Sequence, residues 1–116
     1  MIWRCQGTVV KVRDGDTFLA DLDLGWHHWQ HAPTKGTGYG VIRVLDLWCP
    51  ELREPGGPQA RDYATALLLT TLTVVELESH ALDSFGRSLA KVTLPDGRDL
   101  ATVMIEAGHG TPERRS

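Results

Sequence analysis

Carboxylate and guanidinium side chains stand in three short motifs that are spread along this 116-residue chain. The motifs are Asp14–Thr17 (DGDT), the pair Arg43 and Glu51, and Asp83–Arg87 (DSFGR). Carboxylates bind hard divalent cations, and arginine offers a bidentate fork to phosphate. A carboxylate can also orient or deprotonate a water molecule. Together the motifs indicate a site that binds a metal ion and attacks a phosphodiester, provided that the fold brings them together.

Each motif also has an ordinary structural explanation. An Asp-Gly-Asp-Thr sequence suits a hairpin turn with solvated acids. Arg43 lies in an apolar strand pattern, where it could form a structural ion pair with Asp46 or Asp16 rather than face a cleft. Glu51 could be a solvated loop residue, and Phe85 a core aromatic beside a turn. The residue pattern by itself leaves these alternatives open.

Composition and charge are those of one small globular domain. A chain of this length buries roughly two-thirds of its unfolded surface. The net charge of −3 argues against a general nucleic-acid coat protein, but an enzyme needs only local positive charge in its cleft. No apolar run reaches the ~20 residues of a membrane span, and the first residues lack a signal-peptide pattern. We therefore expect a cytoplasmic or virus-encoded protein with no membrane partner.

The two cysteines, Cys5 and Cys49, fit no zinc-binding spacing and are too few for a disulfide framework. We expect both to be small, buried or half-buried side chains. A bridge between them is the main alternative.

Hydrophobic periodicity predicts five short strands and two helices. The predicted strands are 3–12, 18–23, 41–47, 73–78 and 87–94, and the predicted helices are 59–72 and a short one from a cap at Asp99 to Ala107. This order suits a mainly β (α+β) five-stranded OB-fold barrel, with one helix between strands three and four and a short C-terminal helix. We expect one domain over residues 1–110 and a polar tail over 111–116.

The segment 25–40 is rich in glycine and aromatic residues and should be a mobile loop or an extended hairpin tip. Trp26, Trp29, Lys35 and Tyr39 combine stacking faces with positive charge, as in proteins that bind single-stranded nucleic acid. The segment could instead contact a partner protein, or its tryptophans could pack on the barrel.

Taken in order, the three motifs closely resemble those of the staphylococcal (micrococcal) nuclease, or thermonuclease-like, family. The resemblance rests on the Arg-x7-Glu spacing, the upstream Asp-Gly-Asp-Thr and the downstream Asp-x-x-Gly-Arg. It extends from about Thr8 to Gly108 and includes a Gly-Pro-x-Ala helix start at 57–60 and a closing helix at 104–108. It implies an OB-fold nuclease that cleaves DNA and RNA with little sequence preference, leaving a 3′-phosphate and a 5′-hydroxyl.

The resemblance also implies a role for each matching motif position. Arg43 and Arg87 would hold the scissile phosphate and stabilise its developing charge. Glu51 would act as the general base or position the attacking water. Phe85 matches an aromatic residue against which the family packs nucleotide.

For the metal, the resemblance implies that Asp16 and the backbone carbonyl of Cys49 ligate Ca²⁺, with Mg²⁺ or Mn²⁺ as alternatives. One position departs from the pattern, because Trp48 stands where the family carries a second metal-ligand Asp. An indole cannot coordinate Ca²⁺, and hard cations depend on the number of charged ligands. Asp14 or Asp46 could supply the missing carboxylate.

Two further function classes stay open, the first because of this departure and the second because the chain is a small acidic domain. The same barrel could be a catalytically weakened module that binds nucleic acid or a protein partner. It could also be a structural subunit of a viral assembly.

Overall fold

The strands of this protein form one curved sheet that closes into a barrel, because the first strand in the chain also pairs with the second. The computed structural model describes residues 3–26, 28–31, 38–69, 74–82 and 87–112. The elements are β1 (Trp3–Asp14), β2 (Thr17–Asp23), β3 (Trp29–Gln30), β4 (Gly38–Val44), α1 (Gly57–Leu68), β5 (Val74–Leu82), β6 (Arg87–Thr93) and α2 (Leu100–Glu106).

Strand β1 closes the barrel because it pairs with both β5 and β2. The sheet order is β1-β5-β6-β4-β2-β3, with the further β1–β2 pairing. Only the β4–β6 pairing is parallel among the described strands. Register shifts at 9–11 and 12–14 interrupt the β1–β2 ladder, and such bulges bend a strand sharply enough to close a small barrel. The predicted α+β class with a five-stranded, OB-like barrel is confirmed, and β3 is a two-residue addition at its edge.

The core fills the barrel and the space beneath the two helices. Helix α1 buries one stripe, Ala60, Ala64 and Leu68, whose spacing of four residues places them on one face. Helix α2 begins with Asp99, whose carboxylate accepts a hydrogen bond from the Thr102 N–H, as expected of a helix cap. Among the described residues, no helix is long and apolar enough to cross a membrane.

Several predicted boundaries are wrong for local reasons. Helix α1 begins two residues earlier than predicted, at Gly57, after Gly56 takes up a left-handed conformation, and it ends at Leu68 rather than at residue 72. The third strand, β4, ends at Val44 rather than at Leu47, because the chain turns at Asp46 with a φ of 59°.

Both cysteines are half buried and unpaired in the structure. The prediction of separate, partly buried thiols is therefore confirmed. The alternative of a Cys5–Cys49 bridge is wrong.

Gly15 lets the β1–β2 turn approach α1 and the loop after β4. A Cβ atom at this position would lie 2.8 Å from the Cys49 sulfur and 2.9 Å from the Ala60 Cβ. Contacts this short require the surrounding backbone to move. The glycine is therefore a steric requirement for bringing the Asp14–Thr17 motif against Cys49.

We predict that Gly15→Ala lowers the free energy of unfolding by about 1–3 kcal/mol, as overpacked sites do. The double variant Gly15→Ala/Ala60→Gly should be destabilised by less than the sum of its two single variants, since one of the colliding atoms is gone. Urea denaturation of the four proteins checks this. Strict additivity would contradict the proposed collision.

Candidate functional site

The Asp-Gly-Asp-Thr motif and Arg43 meet because β2 and β4 are neighbours in the barrel. Thr17 at the start of β2 lies opposite Arg43 of β4, and the Asp16 carbonyl accepts a hydrogen bond from the Val44 N–H at 2.9 Å. Asp16 and Arg43 are 7% and 5% exposed. Nη2 of Arg43 lies 3.4 Å from Oδ2 of Asp16. Of the two ion pairs considered for Arg43, the one with Asp16 is present.

A second nitrogen of the Arg43 guanidinium donates to the backbone. Nη1 donates to the carbonyl oxygens of Val44 at 2.8 Å and of Leu47 at 2.6 Å. The guanidinium thus holds the turn that follows β4. Its predicted binding of the scissile phosphate stays a prediction.

Asp16 is bound on both of its carboxylate oxygens. Oδ2 accepts the Cys49 N–H at 2.9 Å and Oδ1 accepts the Thr17 hydroxyl at 3.2 Å. The contact with Cys49 joins residues 33 positions apart and brings the loop Cys49–Glu51 to the hairpin turn. Together with the positive charge of Arg43, these hydrogen bonds supply what a buried charge needs.

Asp14 provides a second carboxyl group beside Asp16. Its Oδ1 accepts the Asp16 N–H at 3.3 Å. Burial and the neighbouring Asp16 carboxylate raise the pKa of Asp14 to about 7. The two acids therefore form a close pair in which Asp14 carries a proton for part of the time at neutral pH.

Trp48 covers the Arg43 guanidinium. The Cζ atom of Arg43 lies 4.3 Å from the centroid of a Trp48 ring, which is a cation–π distance. Two backbone hydrogen bonds to Thr111, of 2.8 and 2.9 Å, hold Trp48 from the C-terminal side. The side chain remains 41% exposed. An indole therefore occupies the position at which the family resemblance predicts a carboxylate.

Cys49 contributes its backbone to the site rather than a reactive thiol. Burial, with the nearby Asp16 and Asp14 carboxylates, raises the pKa of the Cys49 thiol to about 12, although Arg43 partly offsets this. A thiol with such a pKa is protonated near pH 7. The role predicted for its carbonyl as a metal ligand stays a prediction.

Glu51 is an exposed loop residue that lies two positions beyond Cys49. Its carboxylate pairs with Arg53 at 3.3 Å, and its N–H donates to the Glu54 carboxylate at 2.9 Å. The loop contacts the Asp16–Arg43 ion pair through Cys49, while the Glu51 side chain faces solvent. Its predicted role as a base or water-positioning group is untested.

Arg87 begins β6, the neighbour of β4, and lies two positions before Leu89, which pairs with Arg43. The structure describes only the backbone of Arg87 and of Tyr39. Phe85 and Lys35 lie outside the described residues, so their predicted contacts with nucleic acid stay predictions.

The hairpin tip that precedes β3 presents Trp26 to solvent. Hydrogen bonds between Leu24 and His28 and between His28 and Gly25, both 2.9 Å, close the turn. Trp26 adopts a φ of 54° and is 95% exposed. The expectation that this tryptophan packs on the barrel is therefore wrong, while Trp29 is about half exposed.

The described site offers few ligands for a divalent cation. Within the described part of the chain, no group of three or more histidine, cysteine or acidic side chains is arranged to hold a metal. Asp46 is exposed, and strand alternation does not relate it to Trp48 because β4 ends before it. The Asp14–Asp16 pair offers hard oxygens, as suits Mg²⁺ or Mn²⁺ bound through one or two carboxylates, whereas Ca²⁺ takes six to eight oxygen ligands.

No protein-family model matches this sequence, and no curated protein matches it. The likeness to the thermonuclease-like family therefore rests on the motifs and on the OB-like barrel.

Sequence reasoning missed two parts of the site. One is the stacking of Trp48 on Arg43, and the other is the pair of backbone hydrogen bonds between Trp48 and Thr111. The sequence cue for the contact with Thr111 is the neighbouring glycine, Gly110. In the structure, a Cβ at this position would lie 2.6 Å from Leu47 Cδ1 and 3.1 Å from the Trp48 carbonyl oxygen. A glycine near the end of a sequence does not by itself reveal which segment packs on it.

We predict that Arg43→Met lowers the free energy of unfolding by about 3–5 kcal/mol, because it leaves the buried Asp16 carboxylate without its cation. Arg53→Met is the control, since its ion pair with Glu51 is exposed and such pairs contribute about 0–1 kcal/mol. Chemical denaturation measures both. Equal destabilisation of the two variants would contradict a structural role for the Asp16–Arg43 pair.

The raised pKa of Asp14 predicts a pH dependence of stability. Between the ordinary aspartate pKa of about 4 and the folded value of about 7, the folded protein retains a proton that the unfolded chain has lost. The contribution of this group is therefore complete below about pH 4 and is lost as the pH rises through 7. Relative to Asp14→Asn, the wild type should lose roughly 2–4 kcal/mol over that interval. Parallel pH profiles of denaturation would contradict this.

Proposed function

We propose that this protein is a metal-dependent nuclease that hydrolyses phosphodiester bonds in DNA or RNA with low sequence specificity. The hydrogen bond from the Cys49 N–H to the Asp16 carboxylate carries the proposal. It joins the Asp-Gly-Asp-Thr motif to the loop that bears Glu51, beside the strand that bears Arg43. Parts of the chain that are far apart in sequence therefore meet at one end of an OB-like barrel, which supports a shared role for them in phosphodiester hydrolysis.

The chemistry assigns a different task to each group. A divalent cation on Asp14 and Asp16, with the Cys49 carbonyl as a further ligand, would neutralise the phosphate and acidify a bound water. Glu51, on its exposed loop, accepts the proton of the water that attacks phosphorus, while the bond from phosphorus to the leaving oxygen breaks and a solvent water protonates that oxygen.

Arg87 neutralises the non-bridging oxygens of the phosphate. Arg43 has its hydrogen bonds directed to Asp16 and to the backbone. We therefore assign it the positioning of Asp16 rather than the binding of phosphate that the resemblance implies.

A second function, nucleic-acid binding without cleavage, is favoured by one observation. Trp48 lies over Arg43 at 4.3 Å, so the site has one carboxylate fewer and one aromatic surface more than the family pattern. Such a site keeps the means to hold a nucleic acid while its affinity for a metal ion falls.

We predict that the protein cleaves end-labelled oligonucleotides in Mg²⁺ or Mn²⁺, less well in Ca²⁺, and not in chelator. Glu51→Gln should reduce the rate by about 100-fold or more, the usual contribution of a general base. Glu76→Gln removes an exposed carboxylate on β5 and should leave the rate unchanged. The assay uses single- and double-stranded DNA and RNA, with Arg87→Ala in parallel.

If folded wild-type protein cleaves nothing in any of these ions, the nuclease proposal fails. Binding of the same oligonucleotides, measured by fluorescence anisotropy, would then support the binding module.

A further inference from the structure

We propose that Trp48, supported by Arg43, is a stacking site for one unpaired base of a single-stranded nucleic acid. This inference rests on the proposed function and specifies its substrate. It assigns a task to the residue that departs from the family pattern. The site would lie directly beside the Asp14–Asp16 carboxylate pair.

The indole is held in a fixed position before any ligand arrives. Beneath it, the Arg43 guanidinium is immobilised by Asp16 and by the carbonyls of Val44 and Leu47. The backbone of Trp48 donates one hydrogen bond to Thr111 and accepts another from it. An aromatic surface that is already ordered loses little conformational entropy when a ligand stacks on it.

The exposed part of Trp48 favours a base over other occupants. An apolar side chain that remains 41% in water becomes more stable when a flat aromatic group covers it. The positive charge of Arg43 draws π-electron density toward one face of the indole. The rest of the ring system is then a poorer partner for a second cation, such as a lysine of a protein ligand, and a good one for an electron-rich base.

The location of Trp48 connects such a base to the proposed chemistry. The residue that follows it, Cys49, donates its N–H to Asp16 at 2.9 Å. The guanidinium beneath the ring pairs with the same carboxylate at 3.4 Å. A base on Trp48 would therefore place its own sugar and phosphate next to the carboxylate pair. Bases in a duplex are covered by their neighbours, so this site selects single strands.

The first test measures binding without cleavage. In chelator, a dye-labelled single-stranded octanucleotide is titrated with wild type, Trp48→Leu and Leu69→Ala, using fluorescence anisotropy. An all-abasic octanucleotide has the same charge and no bases. We expect Trp48→Leu to weaken binding of the ordinary strand by roughly 5- to 100-fold and to leave binding of the abasic strand unchanged. Leu69→Ala removes an apolar side chain of similar exposure, 38%, after α1 and should not show this base-dependent loss.

A second measurement leaves Trp48 in place and so does not depend on whether its variants fold. In Trp3→Phe/Trp26→Phe/Trp29→Phe, Trp48 is the one remaining tryptophan of the four in the sequence. The ordinary strand should quench its emission, whereas the abasic strand should not. Unquenched emission at saturation, or equal quenching by both strands, would overturn the proposal. So would a Trp48→Leu variant that is folded and binds the ordinary strand as wild type does.

These results separate the stacking site from the nuclease. Base-dependent quenching in a protein that cuts nothing would support the stacking site and remove the enzyme. Metal-dependent cutting by a protein whose Trp48 shows no quenching would support the enzyme and remove the stacking site.

Discussion

The buried ion pair between Asp16 and Arg43 is the interaction on which the rest of the site depends. Neither charge could stay 7% and 5% exposed without the other, because an isolated charge in a protein interior is strongly destabilising. The pair also determines its surroundings. Arg43 fixes the turn after β4 through two carbonyls, and Asp16 fixes the following loop through the Cys49 N–H. Both the structural and the chemical features of this end of the barrel follow from these contacts.

Barrel closure is what makes the pair possible. Bulges bend β1 so that it can pair with β5 on one side and β2 on the other, and β2 then aligns with β4 in a register that sets Thr17 opposite Arg43. A shift by one residue would turn Arg43 to the other face of the sheet. The register is held by the buried apolar residues of β2 and β4, so core packing and the site share one constraint.

The same geometry bears on the roles of several motif residues. An arginine that the family resemblance assigns to phosphate has its described hydrogen bonds directed inward, and a tryptophan lies over it. Burial, together with the neighbouring Asp16 carboxylate, raises the pKa of Asp14. The site therefore combines a firmly structured layer, formed by Arg43 and Asp16, with an outer layer of exposed groups, Trp48 and Glu51, that can meet a ligand.

Local pattern alone determined the order of strands and helices, the hairpin turn at Asp14–Thr17, the cap at Asp99 and the need of Arg43 for a partner. Each of these depends on periodicity or on neighbours within a few residues. Only the tertiary structure decided that the partner is Asp16 and not Asp46, that Trp48 lies on Arg43, and that Thr111 clamps it. Those outcomes depend on which strands pair and where the chain turns. Both are set by closing the barrel around its core, so no short stretch of residues contains them.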